Sequence, residues 1–63
     1  MRDVNRIKQL CDQLADTWSA YPDWRFGQFI SNFMGWVLTE KKCSDIFFPE
    51  DDKWVKWLKE YKG

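Results

Sequence analysis

Histidine is absent from this 63-residue sequence, and cysteine occurs only twice, at Cys11 and Cys43. Without those ligands one chain cannot assemble a structural zinc site or a Cys-His nucleophile. Two thiols so far apart in sequence are no disulfide framework, so both are expected unpaired, as small apolar residues in a reducing cytoplasm. No apolar run approaches the ~20 residues of a membrane-spanning helix. The start, Met1-Arg2-Asp3, is too charged for a signal peptide. Ten Lys+Arg balance ten Asp+Glu, so the formal net charge is zero, which removes the simplest electrostatic case for nucleic acid.

What is present in excess is aromatic: five Trp, five Phe and two Tyr make up 19% of the chain. A single domain this small buries only about 60% of its unfolded surface and is marginal on ordinary packing. Aromatic side chains bury roughly 150–250 Å² each, which compensates and argues against disorder despite the charged fraction. The same shortage of volume leaves little room for a substrate cleft of about 300 Å³ or more, so an enzyme is not expected. Residues 1–63 are read as one helical domain, without repeats or low-complexity segments.

Val4, Ile7, Cys11, Leu14, Trp18 and Tyr21, with Leu10 and Ala15 beside them, recur at helical spacing, and Asn5, Gln9, Asp12, Gln13 and Asp16 fall opposite. The pattern predicts an amphipathic helix over about 3–20, capped by Asp3 and ended by Pro22. A second helix over about 24–41 follows, capped by Asp23. Phe26, Phe29, Ile30, Phe33, Met34, Trp36 and Val37 cover an arc of about 160° on it, the width of a central helix. Gly27, Ser31 and Gly35 form a ridge of small residues beside that arc, where a second backbone or a ring is expected to pack closely. Residues 43–49 have no helical period and predict a short extended strap laying Ile46, Phe47 and Phe48 on the core. Trp54, Trp57, Leu58 and Tyr61 share one face of a third helix over about 51–61, with Glu50, Asp51 and Asp52 at its start and lysines at its end, as the macrodipole favours. The expected fold is all-α, a compact three-helix domain with a short extended strap between helices two and three.

Arg25, Gln28 and Asn32, joined by Thr39, lie within about 60° of one another on the otherwise apolar second helix. A polar strip there is either an internal network, with Arg25 paired to an acid among Glu50, Asp51 and Asp52, or a partner-facing strip in which Arg beside aromatics makes a binding hot spot. The acidic run lacks the alternating spacing of a calcium loop and reads as a helix-capping cluster. Lys53, Lys56, Lys59 and Lys62 recur every three residues and read as a solvated face, or alternatively as a phosphate-contacting nucleic-acid face interrupted by Glu60. Trp24 lies near the small-residue ridge, where an exposed aromatic patch fits a homodimer or a partner groove.

The stretch Pro22-Asp23-Trp24-Arg25-Phe26-Gly27-Gln28, then Asn32, then Ser44-Asp45-Ile46-Phe47-Phe48 leading into Glu50-Asp51-Asp52, resembles a set of short uncharacterised proteins from bacterial and phage genomes. Their shared pattern is Pro-Asp-x-Arg-x-Gly-Gln, then Asn, then Asp-x-Phe-x-x-Glu-Asp, and it covers about half of this chain. The resemblance implies mobile-element cargo, such as an inhibitor or adaptor of a host protein, anti-CRISPR or otherwise. The combined expectation is a cytoplasmic protein-interaction module without cofactor or metal, binding a protein partner through Trp24, Arg25, Gln28 and Asn32.

Overall fold

Phe29, Phe33 and Val37 are wholly or almost wholly buried on one helix, and Trp57, Leu58 and Tyr61 close over them from another. In the computed structural model, which describes residues 3–62, three helices carry that core: α1 (Asn5–Ser19), α2 (Phe26–Glu40) and α3 (Asp51–Glu60). Met1 and Arg2, from which the charged start was read, lie outside the described residues. Among the described residues there is no strand, and the all-α three-helix fold stands as expected.

The helix boundaries are set by local chemistry. At the start of α1 the Asp3 carboxylate accepts the Asn5 N–H at 2.9 Å and its carbonyl accepts the Arg6 N–H at 3.2 Å, so Asp3 satisfies donors that the first turn leaves open. Asp23 does not cap α2. The Trp24 N–H bonds back to the Tyr21 carbonyl at 3.0 Å, and the Trp18 indole N–H holds the Trp24 carbonyl at 2.8 Å. The chain therefore passes through Arg25 in extended conformation (φ −70°, ψ 159°) before the helix begins at Phe26. At the other end of α2, Lys42 takes a positive φ of 53°, the left-handed conformation that stops helices and is ordinarily given to glycine. Asp51 and Asp52 occupy the first turn of α3 and Lys59 the last, each sign matching the adjacent end of the helix dipole.

α1 meets α3 through polar bonds as well as packing. The Thr17 hydroxyl, buried, donates to the Leu58 carbonyl at 2.9 Å and accepts from the Gln13 side-chain amide at 3.1 Å. Arg6 forms an ion pair with Asp51. These bonds turn α1 by about one position from the expected stripe. Arg6, Gln13 and Thr17 face α3, whereas Val4, Ile7, Cys11 and Ala15, predicted to face inward, are exposed.

α2 is held at a greater distance from both partners, because rings rather than backbones make its contacts. The closest helix approach is between α1 and α3. Around Phe29 stand Trp18 and Phe33 in stacked geometry at 6.1 Å each. Tyr61 packs edge-on to Phe29, Phe33 and Trp36 at 6.1, 5.4 and 5.3 Å. Four buried rings, with Trp18, Tyr21, Trp24, Trp36 and Trp54 partly buried against them, supply the apolar area that a chain of this length otherwise lacks. The radius of gyration, 11.8 Å, exceeds the roughly 10.6 Å expected for this length.

Residues 41–50 do connect α2 to α3 without helix or strand, but they do not lay three apolar residues on the core. Phe47 and Phe48 are 86% and 75% exposed, and Ile46 is 49% exposed. The cause is local: the Asp45 carboxylate accepts the Phe47 N–H at 2.9 Å, an Asx-turn that competes with extended pairing and turns the chain outward. Cys43, half-buried, and Cys11, exposed, are both free thiols.

Candidate functional site

The outer face of α2 is set by the opposite face. Because the arc from Phe29 to Val37 takes the only side that two short neighbouring helices can cover, Arg25, Gln28, Ser31, Asn32 and Thr39 are turned to solvent. Among the described residues, the side chains of Arg25, Gln28 and Asn32 make no hydrogen bond or ion pair. The internal-network alternative is thereby corrected: Asp51 takes Arg6 as its cation, and Arg25 stays in water. Thr39 bonds back to the Gly35 carbonyl of its own helix at 2.9 Å.

Beside this strip run Gly27, Ser31 and Gly35. A Cβ added at either glycine would meet nothing within 4 Å, so among the described residues the close neighbour expected at this ridge is absent. The physical reason is again the number of elements, since α1 and α3 both lie on the aromatic side. The result is an open face, smooth along Gly27, Ser31 and Gly35 and polar along Arg25, Gln28 and Asn32. Leu38, half-exposed, lies along the small-residue edge, whereas Phe26 is on the opposite side of α2, its ring 5.6 Å from Trp18.

Trp24 differs from its three companions. Its ring stacks on Tyr21 at 4.5 Å with an interplanar angle of 13° and lies 6.4 Å from Phe29. It is half-buried and packs against the core cluster, so it anchors the α1–α2 turn more than it offers a free ring.

Lys53, Lys56, Lys59 and Lys62 are all exposed. Lys53 lies over the Trp57 ring at 5.9 Å. Glu60, the acid among them, pairs with Lys41 of the α2 terminus at 3.0 Å. Glu50, Asp51 and Asp52 gather with Asp3 and Arg6 around a cleft at the start of α3. No group of three metal-ligating side chains occurs among the described residues.

A second surface was not anticipated from the sequence. Leu10 and Leu14 of α1, Ile30 and Met34 of α2, and Ile46 and Trp54 line an apolar groove of about 320 Å³, floored by Phe33 and Leu58. Phe47, next in sequence to Ile46, is exposed and stands edge to face with Phe48 at 5.7 Å. The usable signal was Asp45 two residues before Phe47 in a segment without helical period, the spacing of an Asx-turn.

Fold and surface together define the class: a small aromatic-cored helical domain with one polar and one apolar face left open. Compared with protein-family models, curated proteins and solved structures, the chain matches none.

Proposed function

We propose that this protein is a protein-interaction module without catalytic chemistry or cofactor of its own, docking a partner on the outer face of α2. One observation carries the reading. Arg25, Gln28 and Asn32 stand exposed and unengaged along a helix edge where Gly27 and Gly35 leave open space for a partner's backbone. An Arg beside a close-approach surface can anchor a partner through several donors at once. Leu38, exposed on the same edge, adds apolar contact. A partner in a bacterial cytoplasm, met by an inhibitor or adaptor of a host protein such as an anti-CRISPR, is the reading in keeping with the resemblance to short bacterial and phage proteins. It falls on the same residues, 25, 28 and 32.

The test is affinity capture from bacterial lysate with the parent chain and with an Arg25→Ala, Asn32→Ala double variant, each with and without nuclease. A protein held in stoichiometric amount by the parent, kept after nuclease and lost with the variant, is the expected result. Equal retention by the variant overturns the assignment of this face.

The alternative of a nucleic-acid accessory protein is favoured by one observation: Lys53, Lys56, Lys59 and Lys62 are all in solvent while Glu60 is paired to Lys41. Phosphate binding weakens steeply between about 50 and 200 mM salt, whereas a face with the single charge of Arg25 beside Gln28, Asn32 and Leu38 changes less. A salt series on whatever is captured separates the two.

A further inference from the structure

Of residues 3–9, Arg6 alone is not exposed to solvent. Val4 and Ile7, the two large apolar residues of that stretch, are 73% and 50% exposed, and Leu10 is the first residue of α1 packed against the core. Burial therefore does little to hold the first two turns in place. Among the described residues, the polar bond that joins them to another helix is the ion pair of Arg6 with Asp51. From Leu10 onward the attachment is of a different kind: Leu10, Leu14 and Trp18 pack on the aromatic cluster, and Thr17 donates to the Leu58 carbonyl from a buried position.

We propose that residues 3–9 are an electrostatic latch, closed by Arg6 on Asp51 and opened by local unfolding while the rest of α1 stays docked. The charges have the signs a latch needs. Arg6 and Lys8 against Asp3 give the segment one net positive charge, and the start of α3 carries Glu50, Asp51 and Asp52. Around the cleft where the two meet, Arg6 is the single cation among the described lining residues, with Asp3, Glu50, Asp51 and Asp52 about it. An attraction of this kind, between partly exposed groups, is screened by salt over a length that falls from about 30 Å at 0.01 M to about 3 Å at 1 M. The buried Nε of Arg6 has no hydrogen-bond partner, which costs the closed form and narrows its advantage over the open one. Asp51 also lines the apolar groove of Leu10, Leu14, Ile30 and Met34. Opening the latch therefore leaves that groove with an unpaired carboxylate, so ionic strength changes the chemistry of the surface. The latch is separate from the outer face of α2, and the inference stands whether or not that face binds a partner.

Amide hydrogen exchange of the full chain, resolved residue by residue by NMR at low and high sodium chloride, tests it. The amides of residues 8–11, which bond back into the first two turns, are expected to exchange faster than those of residues 15–19. Their rate rises about two- to fivefold from 0.01 to 0.5 M salt, the size of effect a partly exposed ion pair supports, while the amides of residues 15–19 hold theirs. Arg6→Gln and Asp51→Asn each raise the rate at residues 8–11 by a similar factor at low salt and abolish the salt response. Combining them adds nothing further, and Arg6→Lys, which keeps the charge, keeps the response. Equal exchange at residues 8–11 and 15–19 in the parent overturns the inference, because the segment then opens only with the whole domain. A rate at residues 8–11 that ignores salt overturns it as well, as does an Arg6→Gln chain in which every amide accelerates alike.

Discussion

The hydroxyl of Thr17 on α1 donates a 2.9 Å hydrogen bond to the backbone carbonyl of Leu58 on α3. Leu58 lies two residues before the end of α3, where helix carbonyls have no partner within the helix. A side chain from α1 thus completes the end of α3, and the Gln13 amide bonded to the same hydroxyl fixes its orientation. Thr17→Val keeps the shape of the side chain and leaves that carbonyl without its donor, so it is expected to cost about 1–2 kcal/mol. At about 4–8 °C per kcal/mol for a domain of this size, thermal unfolding followed by circular dichroism resolves the loss. Thr17→Ser, which restores the donor, is expected to recover most of it.

Trp24 and Arg25 are neighbours in sequence with opposite roles. Trp24 stacks on Tyr21 and its carbonyl is held by Trp18, whereas Arg25 is exposed. Trp24→Ala is expected to destabilise by about 2 kcal/mol, less than a fully buried aromatic would cost. Arg25→Ala is expected to change stability by no more than about 0.5 kcal/mol. Urea unfolding of the two variants side by side checks the contrast. A chain that unfolds on losing Arg25 places that residue in the core and removes it from the docking face.

Gly35 sits inside α2 with open space where a Cβ would go. Gly35→Ala is therefore expected to stabilise the isolated protein by about 0.5–1 kcal/mol through helix propensity alone. The same methyl occupies the close-approach edge of the proposed face, so partner affinity is expected to fall while the melting temperature rises. Calorimetric binding alongside thermal unfolding reads both signs in one preparation.

Lys42 carries a left-handed backbone, φ 53°, at the end of α2. For a residue with a Cβ that conformation costs about 1–2 kcal/mol. Lys42→Gly relieves it and is expected to raise stability by about 1 kcal/mol, whereas Lys42→Val, β-branched, is expected to lower it. Denaturant midpoints of the two variants give the comparison.

Burial raises the Tyr61 phenol above its ordinary 10.0, and the neighbouring Tyr21 adds to the shift. The sign follows from the neutral form being the one the core tolerates. The stability this group contributes is complete below pH 10 and is lost as pH rises through the higher folded value, because the unfolded chain gives up the proton first. Melting temperature is expected to fall from about pH 10 upward, and Tyr61→Phe is expected to flatten that fall. Absorbance titration of tyrosinate in the folded protein supplies the raised midpoint directly.

Much of the architecture follows from local pattern. The period of Trp54, Trp57, Leu58 and Tyr61 placed α3 and its buried face, and the arc from Phe29 to Val37 identified α2 as the helix that carries the core. The exposure of Arg25, Gln28 and Asn32 was one of two readings the strip allowed. It was resolved only when Arg6 took Asp51, a choice between two arginines that no spacing encodes. The stripe on α1 was misplaced by one position for a similar reason. Periodicity counts apolar residues, but Thr17 and Gln13 face α3 through hydrogen bonds that a polarity pattern assigns to water.

The sequence by itself determined that the chain is helical, that its stability comes from rings, and which face of α2 and of α3 those rings occupy, because those properties are set within a few turns of one helix. Only the tertiary structure decided which faces remain open. Two short partners can cover one side of α2 and no more, and this leaves the Gly27–Gly35 edge without a neighbour. An Asx-turn at Asp45 sends Phe47 outward in spite of its apolarity. Both outcomes depend on how many elements there are to pack and on where the connecting backbone satisfies its hydrogen bonds.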